Sequence, residues 1–293
     1  MKRALAFFLV LAACVSTAPP AAFDAAKLRE IDAEIAKAIA AERIPGGVLR
    51  IERDGAVYQR AYGNRAIEPA VEKMTGNTIF DAASITKVVA TAPSIWLLIA
   101  QGKIALDAPA RTYLPEIADG TITIRHLLTH SSGLHPGLDL REEWRGYEEG
   151  VRRALAETPR NRPGAIFRYS DVNYILLGEI VRRVSGEALD VFARRHVFEP
   201  LEMRDTGFVP AQSERIAPTE DGLRGVVHDP TARRMGGVAG HAGLFTTAED
   251  LARFARAVLD GFFPAQMTEI VSPPNVAVRR AGGFDVDSAY SRP

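Results

Sequence analysis

Leu28, Ile31, Ile35 and Ile39 recur at helical spacing, so the folded part of the protein opens with an amphipathic helix, and Gly46-Gly47 closes the segment. Residues 48–53 and 56–62 then flank Asp54-Gly55, a two-residue turn signal that predicts a β-hairpin. Two strands alone are marginal in water, so the hairpin is expected to belong to a larger sheet. No other convincing strand is read before the C-terminal stretch. Between them the apolar pattern predicts helices over residues 84–101, 147–158, 171–185, 188–198 and 248–260. Thr247 ahead of Asp250 marks the start of the last of these and Gly261 its end. Pro93, inside the first, is expected to kink or shorten it. The plan is α/β: a layer built from both ends of the sequence, with a helical region inserted between them.

Composition adds little to this picture and charge excludes one class. The 293 residues are 47% hydrophobic and 25% charged, as in an ordinary folded protein of one large domain or two interleaved ones. With a formal net charge of zero, no global field favours a polyanion, and nucleic-acid binding is not expected. The N-terminus is different in kind. Lys2 and Arg3 precede an apolar run over residues 4–13, too short to span a bilayer as a mature helix, which reads as the core of a signal peptide. The run ends Leu11-Ala12-Ala13-Cys14, which resembles the lipobox of bacterial lipoproteins. That resemblance implies lipidation of Cys14, a signal peptide over residues 1–14 removed up to that cysteine, a tether over residues 15–25, and an exported protein held to the membrane in the periplasm or at the cell surface. The alternative is secretory cleavage nearby, as after Ala18, with the cysteine incidental. Cys14 is the sole cysteine, so no intramolecular disulfide forms.

The chemistry starts at Lys87, the only charged residue between positions 82 and 101, set among Val88, Val89, Ile95, Trp96, Leu97, Leu98 and Ile99. A helix apolar nearly all round is buried, and burial favours the uncharged amine, a usable base. Ser84 lies three residues earlier, on the same helix face and at its N-terminus, where backbone N–H groups favour a developing oxyanion. Ser-x-x-Lys is a weak pattern by itself, and a capping serine beside a snorkelling lysine is its bland counterpart. A second cluster, Phe167-Arg168-Tyr169-Ser170-Asp171-Val172-Asn173-Tyr174, places Tyr169 on a loop just before a helix. A tyrosine near an ammonium is suited to shuttle a proton, although a core tyrosine beside a helix-capping Asp171 fits the same residues.

Ala82-Ala83-Ser84-Ile85-Thr86-Lys87 and Tyr169-Ser170-Asp171 together resemble the first two motifs of the class C β-lactamases, D-alanyl-D-alanine carboxypeptidases and related esterases. Leu127-Leu128-Thr129-His130-Ser131-Ser132-Gly133-Leu134 looks like the loop between those motifs, and residues 240–251 look like the turn and helix after the second. The resemblance implies a β-lactamase-like fold over residues 26–293: an antiparallel sheet with flanking helices from residues 26–80 and 262–293, and an all-helical part from residues 81–261. It also implies an acyl-enzyme mechanism with Ser84 as nucleophile, Lys87 and Tyr169 as proton carriers, and no metal or organic cofactor. Asp171 stands where many relatives have an asparagine that touches the substrate amide, so a donor becomes an acceptor. Residues 225–229 with 236–241 resemble a subgroup containing cell-wall amidases, in which His228, Asp229 and His241 are candidate substrate groups; a glycine-rich loop with partnered histidines is the alternative.

Relatives carry a third motif, Lys or His followed by Thr-Gly, on a strand near their C-terminus. His241-Ala242-Gly243 fits superficially but is placed by the pattern in a turn before a helix, and no other candidate exists. The sheet is therefore expected to be incomplete and the protein truncated at its C-terminus, poorly soluble or nearly inactive as it stands. The function expected is hydrolysis of cell-wall peptide or muropeptide amides. Carboxylesterase and β-lactamase activities are alternatives, and a non-catalytic penicillin- or peptidoglycan-binding module is the alternative of another class. The oligomeric state is not legible.

Overall fold

The computed structural model describes residues 22–287; Cys14 and the leader read from the sequence lie outside them. Helix α1 (Ala25–Ala40) starts at Asp24, whose carboxylate accepts the Ala26 N–H at 2.7 Å, and it buries Leu28. Its polar side is fastened by Asp32, which accepts from Tyr58 at 2.9 Å and also binds Tyr62 and Arg60. Those three residues alternate along β2 (Ala56–Ala66), the second strand of the hairpin begun by β1 (Gly46–Arg53). Asp54 and Gly55 both have positive φ, 50° and 78°, as the tight hairpin turn requires. The two glycines expected to close the helix instead begin β1, and β3 (Glu72–Lys73) adds to the far side of β2.

A second sheet was invisible in the pattern. β4 (Phe80–Asp81) leads into a wide π turn (Lys87–Thr91) and then α2 (Ala92–Ala100). The Ala92 N–H reaches back to the Lys87 carbonyl, so the widened turn brings Pro93 in at the first turn of α2, where its missing N–H does little harm. The helix is re-registered rather than broken. The helical region continues through α3 (Ile124–Leu128), α4 (Tyr147–Ala156), α5 (Asp171–Ser185) and α6 (Leu189–Ala193). After β5 (Gly207–Phe208) and α7 (Pro230–Arg234), β6 (Leu244–Thr246) pairs antiparallel with both β4 and β5. Strands this short carry too few residues to show alternation, so the hydrophobic pattern does not reveal them.

Helix α8 (Ala248–Leu259) packs on β1, and its Thr247 cap accepts the Asp250 N–H at 3.2 Å. A small hairpin of β7 (Arg279–Arg280) and β8 (Asp285–Asp287) follows. Among the described residues this hairpin does not pair with the β1–β2–β3 sheet; the Trp96 indole N–H holds it to α2 through the Gly282 carbonyl at 2.7 Å. The result is an α/β fold of open antiparallel sheets flanked by helices, with a helical region inserted. At the centre of its core lie α2 and α5, through Ile95, Trp96, Leu98, Tyr174, Ile175, Leu176 and Leu177.

Candidate active site

Strand β4 delivers the backbone to a tight elbow. Ala83 takes a positive φ of 44°, rare for a residue with a Cβ, while its N–H donates to Asp81 Oδ1 at 2.8 Å. The other Asp81 oxygen accepts the His228 N–H at 2.7 Å, so one carboxylate ties the elbow to the distant loop 225–243. Thr86 completes the clamp, donating to the Ala83 carbonyl at 2.6 Å and accepting the Leu244 N–H at 3.1 Å. Ser84 is thereby held at the entrance of the first helical turn.

Lys87 Nζ donates to Ser84 Oγ at 3.0 Å and to the His241 carbonyl at 2.9 Å, and it pairs with Asp171 Oδ1 at 2.7 Å. The residue is only 3% exposed. Two hydrogen bonds and one carboxylate neighbour surround the amine, so it is not the unpartnered lysine that burial alone suggested. The missing ingredient was Asp171, which lies far away in sequence and brings the counter-charge.

Ser170 caps α5 by accepting the Asn173 N–H, which leaves Asp171 as the first residue of the helix and Tyr169 just outside it. A carboxylate in a first helical turn is favoured by the helix dipole. The Tyr169 ring is half-exposed, lies 5.1 Å from Lys87 Nζ, within cation–π range, and stacks on His130 at 4.4 Å. Ser84, Lys87, Tyr169 and Asp171 therefore meet around one ammonium.

The remaining candidates divide. His241 is buried and reaches Lys87 with its backbone carbonyl, while its Nε2 lies 2.9 Å from Asp229 Oδ1. Asp229 also caps α7 through the Ala232 N–H. Burial opposes ionisation of Asp229, but the hydrogen bond and charge of His241 outweigh it and hold the carboxyl at about 2. The His228 ring is not brought to Ser84; it is exposed and paired with Glu220. His241-Ala242-Gly243 leads into strand β6, not directly into a helix as the pattern suggested, because β6 is too short to read. Asp171, Asp229 and His241 offer metal-ligand atoms within 4.8 Å of one another, yet a divalent ion there would compete with the Lys87 ammonium already paired to Asp171. Two positions that sequence reasoning missed, Asp81 and His130, leave no periodic signal, since each acts across a tertiary contact.

The family described as Beta-lactamase matches residues 31–291. The protein is 32% identical over 291 residues to an N-acetylmuramyl-L-alanine amidase of Bacillus subtilis (strain 168), covering 84% of this sequence and 66% of the amidase. It is 34% identical over 303 residues to esterase EstB of Burkholderia gladioli, covering 85% and 76%. The fold resembles that of the octameric penicillin-binding protein homologue from Pyrococcus abyssi, with a TM-score of 0.70 at 24% identity over 83% of this protein and 60% of that one. It also resembles EstCE1, a hydrolase with promiscuous acyltransferase activity, at a TM-score of 0.70 and 24% identity over 87% and 81%. The sequence spans about two thirds of the length of the amidase it matches.

Proposed function

Because the chain belongs to the β-lactamase family, we propose that it is a serine hydrolase that opens amide or ester bonds through an acyl-enzyme on Ser84. One observation carries this reading: Ser84 Oγ lies 3.0 Å from a buried Lys87 Nζ that also donates to the His241 carbonyl and is ion-paired with Asp171. Ser84 Oγ attacks the substrate carbonyl while its proton is taken up at the Tyr169 oxygen as the Tyr169 proton passes to the leaving group, with Lys87 beside Ser84 Oγ to steady the developing charge, and water then releases the acid. No step in this sequence calls on a metal or organic cofactor. Asp171 serves here as the counter-charge of Lys87, and as an acceptor at the edge of the cleft.

The substrate class proposed is cell-wall peptide or muropeptide amides, supported by the likeness to the Bacillus amidase. A carboxylesterase is the second reading, supported by the likeness to EstB at 34% identity. Release of product from a muropeptide and from a nitrophenyl ester, measured side by side, separates the two. Under either reading Ser84→Ala abolishes turnover and covalent labelling by a fluorophosphonate while the fold persists; labelling retained at another serine would overturn the assignment. Cys14 is proposed as a lipid anchor in the envelope, so Cys14→Ser should release the protein from membranes, and a membrane-bound Cys14→Ser protein counts against it.

A further inference from the structure

His130 brackets Tyr169 on three sides. Its carbonyl accepts the Arg168 N–H at 2.8 Å, its ring Nδ1 accepts the Ser170 N–H at 3.1 Å, and its imidazole stacks on the phenol between them at 4.4 Å and 27°. The ring is buried, with Tyr174 tilted against it at 5.0 Å and the edge of Phe167 at 6.1 Å. The backbone at His130 has a φ of 55°, a left-handed conformation that favours glycine or asparagine. A merely space-filling residue has no reason to bear that cost.

We propose that His130 is a positioning residue for Tyr169: its ring fixes the plane of the phenol, and its Nδ1 fixes the start of the helix that follows. This rests on the role given to Tyr169 above. Accepting the Ser170 N–H requires a bare Nδ1, so the proton sits on Nε2 and the ring is neutral. Burial, then the positive charges of Arg280 and Lys87, hold the imidazole well below its ordinary value of 6.5, which keeps it in that state. The groups facing it are Tyr169, Tyr174, Phe167, Lys87 and Arg280, none of them a carboxylate that would draw a proton on. The phenol is thus backed by a neutral face and approached by one cation, Lys87.

Substitutions in the full-length protein separate this role from simple packing. His130→Asn tolerates the left-handed backbone and keeps an acceptor near Nδ1, but it removes the ring. Its rate constant for fluorophosphonate labelling of Ser84 should fall by about tenfold or more, since positioned proton transfer contributes roughly a hundred- to ten-thousandfold, while the labelled fraction stays complete. Tyr169→Phe should slow labelling at least as much, and adding His130→Asn to Tyr169→Phe should slow it no further, because His130 acts through the phenol. A rate unchanged in His130→Asn, or an equal loss with and without the Tyr169 hydroxyl, overturns the proposal. An unchanged rate in Tyr169→Phe would instead overturn the role of Tyr169, and this inference with it. Should His130→Asn not fold, histidine NMR of the unaltered protein decides: His130 is expected as the neutral Nε2–H tautomer at pH 6.5, where a free imidazole is half protonated, and a protonated ring or the Nδ1–H tautomer there would refute it.

Discussion

At the scale of single residues, the pair of Lys87 and Asp171 decides what the site is. A buried ammonium without its counter-charge is costly, and breaking a buried pair typically loses about 3–5 kcal/mol. Asp171 keeps 29% of its side chain exposed, which screens part of that cost. Asp171→Ala should therefore lower the unfolding free energy by about 2 kcal/mol, read by urea titration. Asp171→Asn should lose less, since a polar amide of the same size still faces Lys87. The same Asn substitution restores the donor that many relatives present to a substrate amide, so lactam turnover is expected to rise relative to ester turnover, modestly. A ratio unchanged or lowered in purified protein removes Asp171 as the source of substrate preference.

At the scale of elements, the site depends on how closely loop 236–243 approaches α5 and the π turn. Thr91 Oγ1 donates to the Gly240 carbonyl at 2.6 Å, and a Cβ on Gly240 would lie 1.9 Å from the Tyr174 carbonyl oxygen, which is backbone and cannot yield. Gly240→Ala must push the loop away, and with it the His241 carbonyl that holds Lys87. We expect a loss of about 2–3 kcal/mol in stability, in the range of overpacked cores, together with slower labelling of Ser84. Gly137→Ala, where a Cβ meets nothing within 4 Å, is the control and should behave like the unaltered protein. Near-normal labelling in Gly240→Ala would show that the lysine does not depend on this loop. The π turn belongs to the same argument: the wide turn that admits Pro93 also begins at Lys87, so the irregular part of the helix coincides with the residue proposed to act on Ser84.

At the scale of the whole molecule, buried ionisable groups set how stability depends on pH. His130 and His126 both have values lowered, chiefly by burial, with Arg280 and Lys87 adding to it for the first and Arg125 for the second. Below 6.5 the unfolded protein takes up protons that these folded sites refuse, so stability is complete above 6.5 and falls as the pH drops beneath it. The slope should approach about 1.4 kcal/mol per pH unit for His130, whose value lies well below 6.5, with His126 adding to it in the same direction. His130→Asn should flatten the fall between about pH 7 and about pH 5 in urea titrations, and an unaltered slope would contradict a buried neutral His130. Asp229 acts lower on the scale: its folded value of about 2 lies beneath the ordinary 3.8, so its contribution is present above 3.8 and is lost as the pH falls through about 2. The surface carries a further consequence. Among the described residues β1 is hydrogen-bonded on one side only, and beside it Leu251, Ala255 and the exposed Leu259 of α8 line a groove of about 590 Å³ that Arg50, Arg53 and Arg256 also border. An open edge next to such a groove promotes association, so Leu259→Lys should reduce light scattering at high protein concentration; no change would clear this face.

The sequence by itself determined the long elements, because a helix such as Asp171–Ser185 or a hairpin around Asp54-Gly55 writes its period or its turn chemistry into neighbouring residues. It also pointed to the residues proposed for the chemistry, since Ser84 and Lys87 are three apart at the start of an apolar run and Tyr169 sits where a loop meets a cap. Strands of two or three residues were beyond it, as no period can be seen in so few positions. Only the tertiary structure decided that Asp171 is the partner of Lys87, that His241 contributes a carbonyl rather than a ring, and that His130 backs Tyr169, while the His228 ring turns outward to Glu220. The first three join residues far apart in sequence, and the second also exchanges a side chain for a backbone atom. Local periodicity records neither; the packing of α5 and loop 236–243 around the first turn of one helix makes them neighbours.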